Sequence, residues 1–277
     1  MHWLLSGSLT VETVSVPIRG LPPALQGLRL VQLSDFHYDG VRLSEAMLRA
    51  VIARTNALTP DLVVLTGDFV TQEPEPIYTL ARKLRQIESR YGTYAILGNH
   101  DLFMPVSRQV ITQALERAKI QVLWNAIAYP VGPDLPLVGM ADFWSGDFHP
   151  TRVFDQLDPD LPRLVLSHNP DTAAVLKPWR VDLQLSGHTH GGQIVLPGLG
   201  AAPLVLRRFR PYVPRWMREH IPFMSDKCVR VVRHWEWAQG LHRVGENWLY
   251  VNRGLGTYAP GRFFCPPELT LLTLVRA

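Results

Sequence analysis

The chain is poor in cysteine. Two thiols, Cys228 and Cys265, stand among 277 residues and match no CxxC spacing. A disulfide framework needs more, so two unrelated thiols in a reducing compartment are expected. Charge is thin as well: 19% of residues are charged, the net charge is +4, and 47% are apolar, a balance that supports a sizeable core and argues against disorder. Long hydrophobic runs are missing. Residues 1–10 carry no basic n-region and only a short apolar stretch, too short to span a bilayer and poorly formed as a secretory signal. Internal repeats and low-complexity tracts are absent. So are a long basic stripe and any recognisable nucleic-acid module, which disfavours a nucleic-acid partner.

What is present is a series of five motifs: Asp35-Phe36-His37, Gly67-Asp68, Gly98-Asn99-His100-Asp101, Ser167-His168-Asn169 and Gly187-His188-Thr189-His190. Apolar runs at 28–33, 61–66, 93–97, 163–166 and 181–185 each end at one of them. Such runs predict strands buried on both faces. Helical patterns lie between them at 44–58, 77–89, 106–118 and 171–176, the first opened by a Ser44 N-cap. Strand–helix alternation predicts an α/β sheet with crossovers. Ligands of such sheets sit beyond the carboxyl ends of strands, where all five motifs fall. Runs at 135–140, 247–252 and 269–275 have no long helices between them and predict a second sheet packed on the first.

The motifs supply carboxylates, imidazoles and one neutral amide oxygen. In extended backbone Asp35 and His37 face one side while Phe36 points away. His188 and His190 repeat that spacing, Asp68 offers two oxygens that could bridge two cations, and Asn99 and His168 add an oxygen and a nitrogen. Singly, most of these are ordinary residues: Gly-Asp and Asn occur in many turns, and a lone histidine is usually hydrogen-bonded structure. Together, each at a strand end, they form a two-metal ligand set, and a metal pair roughly 3.5–4 Å apart serves in-line attack on phosphorus esters.

At these residues the chain resembles the calcineurin-like metallophosphoesterases. Gly187-His-Thr-His-Gly-Gly-Gln193, with Asn252-Arg-Gly-Leu-Gly256 and Cys265-Pro-Pro-Glu268-Leu, is most similar to a bacterial membrane-associated subgroup, relatives of which cleave the pyrophosphate of UDP-2,3-diacylglucosamine in lipid A assembly. The resemblance implies one α/β domain over 1–277, a four-layer α/β/β/α sandwich, and hydrolysis of a phosphodiester or pyrophosphate. It also implies two divalent ions, manganese being expected with iron or zinc as alternatives of the same mixed N/O chemistry. Asp35, His37 and His190 would hold one ion, Asn99, His168 and His188 the other, and Asp68 would bridge. His100 would contact the phosphoryl oxygen or protonate the leaving group, with a supporting hydrogen bond to the ligands as the alternative, and Asp101 would orient it.

One segment fits neither scheme. Residues 199–243 are rich in Pro, Arg and aromatics, among them Arg207, Arg208, Phe209, Arg210, Tyr212 and Trp216, then Phe223, Trp235 and Trp237. The subgroup usually has a shorter connection here; the extra length includes roughly 219–238. Either the aromatics form a small core of their own, or the segment is a basic, apolar lid that meets acyl chains or a lipid surface. The second reading predicts a lipid-linked substrate and peripheral contact with the inner face of the membrane, in the cytoplasm. A nuclease, a soluble-substrate phosphodiesterase and a metal-free scaffold are the competing functions. Intact ligands at every position argue against the scaffold, and no protein partner is evident.

Overall fold

The computed structural model describes residues 6–218, 220–221, 224–225 and 231–277; the expectations concerning residues 1–5, Glu219, Phe223 and Cys228 lie outside them. The first half of the described chain builds β1 (Thr10–Ile18), β2 (Arg29–Leu33), α1 (Glu45–Ala57), β3 (Leu62–Leu65), α2 (Ile77–Leu84), β4 (Thr93–Ala95), α3 (Ser107–Arg117) and β5 (Ile120–Val122). Next come β6 (Ala126–Ala128), β7 (Leu137–Gly139), α4 (Pro150–Phe154), β8 (Leu164–Leu166), α5 (Thr172–Val175) and β9 (Leu183–Ser186). A small hairpin, β10 (Val195–Leu196) with β11 (Gly200–Ala201), leads into α6 (Ala202–Phe209) and α7 (Arg215–Arg218). The chain then returns through β12 (Gly240–Val244), β13 (Asn247–Val251) and β14 (Glu268–Arg276).

Two six-stranded sheets result, ordered β1-β14-β2-β3-β4-β5 and β12-β13-β9-β8-β7-β6. The alternation of side chains along each strand assigns the layers. Leu30, Leu62 and Val64 meet Leu164, Leu166, Leu183 and Leu185 in a core between the sheets. Their neighbours Val31, Leu33, Val63 and Leu65 pack outward against Leu48 and Val51 of α1, Leu80 of α2 and Ile111 of α3. On the far side, Val138 and Val165 meet Val153 and Phe154 of α4 and Leu176 at the end of α5. That is the four-layer α/β/β/α sandwich the resemblance implies, with strands covered on both faces. Polar contacts cross between the sheets as well: Gln32 Nε2 donates to the Ser186 carbonyl at 2.9 Å, and the Tyr250 hydroxyl donates to Glu268 Oε1 at 2.6 Å.

Three sequence expectations are corrected. The 269–275 run belongs to the first sheet, where β14 lies between β1 and β2, antiparallel to β2 and parallel to β1. Conversely β8 and β9, which alternate with helices like the first-sheet strands, build the second sheet. The helix expected over 77–89 ends at Leu84, because the Asn56 side chain captures the backbone beyond it: its Nδ2 donates to the Gln86 carbonyl and its Oδ1 accepts from the Glu88 N–H. Ser44 caps α1 as expected, accepting from the Met47 N–H at 3.1 Å.

Candidate metal centre

Asp35 follows β2, Asp68 follows β3, Asn99 and His100 follow β4, His168 follows β8 and His188 follows β9. Both sheets therefore present these residues at one edge. The backbone reaches its turns by a route other than the extended one expected. Asp35, His37, Asp68, His188 and His190 all have positive φ, between 43° and 71°, a conformation that costs non-glycine residues energy and gathers at functional sites. Phe36 still points away, stacked on Phe69 at 5.5 Å inside the core. Two glycines permit the close approach of the loops. A Cβ on Gly98 would strike the Asp68 carboxylate, and one on Gly187 would strike that of Asp35.

Two clusters of donor atoms form, joined by Asp68. In the first, His190 Nε2 lies 3.4 Å from Asp35 Oδ1 and 3.1 Å from His37 Nε2. In the second, His168 Nε2 lies 3.2 Å from His188 Nδ1. Asp68 Oδ2 sits 3.5 Å from His37 Nε2 and 3.2 Å from His168 Nε2, while Oδ1 accepts the His100 N–H at 2.9 Å. Asn99 Oδ1 and His190 Nδ1 are buried without a hydrogen-bond partner among the described residues.

The outer ring nitrogens are fixed by groups far away in sequence. His168 Nδ1 meets the Thr66 carbonyl at 2.7 Å, His100 Nδ1 that of Thr71 at 2.6 Å, and His188 Nε2 that of Val231 at 3.1 Å. Only N–H can donate to a carbonyl, so the opposite nitrogen of a neutral ring carries the lone pair. His37 Nδ1 contacts the Tyr258 hydroxyl at 3.0 Å. Lone pairs that face one another at 3.1–3.2 Å repel unless a proton or a cation lies between them. Burial pushes His37 and His190 down to about 3 and lowers His188, with the charge of His168 adding to the effect. Burial opposes the charge of His168 too, but the Asp68 carboxylate overrides it and raises the ring to about 10. Asp68 in turn is held well below the usual range, because His168 outweighs its burial. Imidazoles and carboxylates in two adjoining clusters, with the buried Asn99 amide oxygen unpartnered among the described residues, fit a pair of first-row divalent cations, so the donor set passes a test of fit that the lone histidines could not.

Asp101 corrects an expectation. Its buried carboxylate does not reach the His100 ring, whose Nδ1 is held by Thr71. It accepts from the backbone N–H groups of Asp68, Phe69, Val70 and Gly98 instead, at 2.8–3.3 Å, and so ties the Asp68 loop to the Asn99 loop. Burial and the nearby Asp68 push it up to about 8. Sequence reasoning missed Tyr258, whose ring packs edge-on against His37 and His190. It also missed Asp171, whose carboxylate accepts the N–H groups of Arg233 and His234. The position of Asp171, two residues beyond Asn169, was the signal available.

The 199–243 insertion starts at the centre and returns to it, through Val231 and through Thr189 Oγ1, which donates to the Ala238 carbonyl at 2.6 Å. Three of its aromatics stand outside any core, Phe209, Tyr212 and Trp216 being 57%, 85% and 73% exposed, while Trp237 packs against Val244, Leu249 and Val251. Arg207 donates to the Arg233 carbonyl and Arg210 to that of Met224, so these two help to close the arm on itself. Arg208 lies on the same helix, α6. Among the described residues no helix is long and apolar enough to cross a membrane. A cleft of about 420 Å³ opens beside Asn99; another of about 400 Å³, between Trp179, Arg180 and Trp248, lies at the amino ends of β9 and β13, away from the centre.

Residues 28–192 match the family model of the calcineurin-like phosphoesterases, and the chain belongs to that family. It is a hydrolase of phosphoester bonds, and its clustered ligands with its family imply divalent metal ions. The chain is 31% identical to UDP-2,3-diacylglucosamine pyrophosphatase LpxG of Chlamydia trachomatis, over 90% of this chain and 84% of that one. It is 33% identical to phosphodiesterase YaeI of Escherichia coli, over 89% and 82%. Among solved structures, TT1561 of Thermus thermophilus shares the fold, with a TM-score of 0.51 at 12% identity over 83% of this chain and 91% of that one.

Proposed function

We propose that the protein is a two-metal hydrolase that cleaves the phosphodiester or pyrophosphate bond of a lipid-linked substrate such as UDP-2,3-diacylglucosamine, working as one domain whose 199–243 arm touches the membrane surface. The observation that carries the two-metal reading is Asp68 Oδ2, within 3.5 Å of imidazole nitrogens from both clusters. Asp35, His37 and His190 would hold one ion, and Asn99, His168 and His188 the other. When bound, such ions make hydroxide available near neutral pH and neutralise phosphoryl oxygens as charge builds.

The chain's own groups do the rest. The Thr66 and Val231 carbonyls keep His168 and His188 in the tautomers that present a lone pair inward. Thr71 holds His100 with Nδ1 outward, so a protonated His100 carries its second N–H on Nε2, placed for a phosphoryl or departing oxygen beside Asp68. Manganese suits the mixed donor set, as do iron and zinc. The lipid part of the reading rests on the exposed Phe209, Tyr212 and Trp216 beside the basic α6 and on the similarity to LpxG.

The test is a metal-restored assay against an aryl phosphodiester, an aryl monoester and UDP-2,3-diacylglucosamine. Manganese-dependent turnover of the lipid nucleotide well above the aryl esters is the expected result. Turnover confined to soluble esters would leave the phosphoesterase and remove the lipid.

A further inference from the structure

The cleft beside Asn99 carries features the hydrolytic centre does not use. It is lined by Asn99, Asp142, Trp144, Arg108, Trp124 and Asp147, among others, and holds about 420 Å³, within the span of small-molecule sites. One wall is already satisfied. Arg108 lies over the Trp124 ring at 4.6 Å and pairs with Asp147 at 3.0 Å, and Trp124 Nε1 donates to the same carboxylate at 3.2 Å.

The other wall is not satisfied. Trp144 is 46% exposed; its ring meets Phe143 at 4.8 Å, tilted, and Arg233 lies over it at 5.9 Å, further than the 4.6–4.9 Å of the other arginine–aromatic pairs. Asp142, two residues earlier, is 1% exposed. Its Oδ2 accepts the Trp144 N–H at 2.9 Å, but its Oδ1 has no partner among the described residues. A buried carboxylate oxygen without a donor is costly. The cleft thus brings together the Asn99 amide, a carboxylate oxygen with no donor among the described residues, and a half-exposed indole.

We infer that this cleft seats the nucleoside half of the substrate, with the sugar hydroxyls donating to Asp142 and the base stacked on Trp144. The assignment rests on the proposed cleavage of a nucleotide-linked substrate, and it names where the nucleoside 5′-phosphate stays while the other half leaves. A phosphate held at the centre puts its sugar one step away and its base two, and the cleft beside Asn99 offers Asp142 to the first and Trp144 to the second. Stacking of a base on an aromatic ring is worth about 1–3 kcal/mol, or roughly 5- to 150-fold in affinity.

The experiment uses UMP and ribose 5-phosphate as competitors of aryl phosphodiester hydrolysis by the manganese-loaded protein. UMP should inhibit about tenfold more strongly than ribose 5-phosphate. Trp144→Ala should bring that ratio close to one, and Trp144→Phe should restore most of it. Removing both sugar hydroxyls, with 2′,3′-dideoxy-UMP, should weaken inhibition of the unaltered protein about tenfold and that of Asp142→Asn much less. Saturation-transfer NMR on UMP gives a readout free of turnover: the uracil H5 and H6 should receive more saturation than the ribose protons, and Trp144→Ala should reverse that order. Equal inhibition by UMP and ribose 5-phosphate, or ratios and saturation unmoved by Trp144→Ala, would overturn the nucleoside site while active hydrolysis kept the phosphoesterase. Absent hydrolysis with intact uracil saturation would instead remove the catalytic reading and keep the site.

Discussion

His188 Nε2 donates to the carbonyl of Val231 at 3.1 Å, so a residue of the insertion fixes which nitrogen of this ring faces His168. The insertion is part of the centre's support at its return, while its outer helices α6 and α7 carry the exposed aromatics. Root and tip should therefore separate by mutation. Phe209→Ala with Trp216→Ala should raise KM for a lipid-linked substrate several-fold more than KM for a small ester. It should also weaken binding to anionic liposomes, binding that falls with salt because the basic part is screened. Sedimentation with vesicles and paired kinetics check both, and equal loss on both substrates would make the tip structural.

Asp68→Ala should lose both metal ions together, since one carboxylate serves both clusters. Asp35→Ala should lose one ion first. Elemental analysis after equilibration with limiting manganese distinguishes the two, and Asp68→Ala retaining a full pair would refute the bridge.

His100→Ala should keep its metals and lose about 10²–10⁴-fold in kcat on substrates with poor leaving groups. Loss of metal, or full activity on such substrates, would move His100 out of this role. An activated aryl ester is a weak probe because its leaving group needs little protonation.

Asp101→Ala should behave unlike His100→Ala. It strands four buried backbone N–H groups, each costing about 1–3 kcal/mol when unpaired, so several kcal/mol of stability should go as the loops around Asp68 and Asn99 part. Thermal unfolding of both variants is the check: the melting temperature should drop for Asp101→Ala and barely move for His100→Ala.

The metal-free protein should be most stable near pH 6.5. His37 and His190, held down to about 3 from an ordinary value of 6.5, refuse protons that the unfolded chain binds, so stability falls as pH drops from about 6.5 toward 3. His168, raised to about 10, acts oppositely: its contribution is intact below 6.5 and is lost as pH rises toward 10. Asp101, pushed up to about 8, keeps a proton the unfolded carboxyl releases above about 4. It offsets part of the acid limb and steepens the alkaline one. Melting of chelated protein at pH 5, 6.5 and 9 reads the curve, and adding manganese should raise the alkaline limb by replacing the proton on His168.

Much of the centre was legible because its signals are local. Short apolar runs end at β2, β3, β4, β8 and β9, and a strand end places the next residue at the sheet edge. What escaped was carried by groups without sequence identity or by long-range pairing. The Thr66, Thr71 and Val231 carbonyls could belong to any residue. Asp101 was read as a partner of its neighbour, whereas its acceptors serve a loop about thirty residues away. The strand β1 was overlooked though Val14, Val16 and Ile18 alternate. The membership of β14 in the first sheet depends on which strands it meets, which periodicity does not encode. Likewise β12 was hidden at the end of a segment whose composition looked irregular.

The place of β14 between β1 and β2 bears on how the protein is made. Among the described strands β1 is synthesised first and β14 last, and β14 is the one strand of these that β1 pairs with. Until β14 emerges the nascent chain therefore carries a nine-residue strand without its partner, open to pairing with a neighbouring polysome product or to capture by a chaperone. The Asp35 loop follows β2, the other partner of β14, so the metal centre gains its final shape only once β14 has been made and has paired.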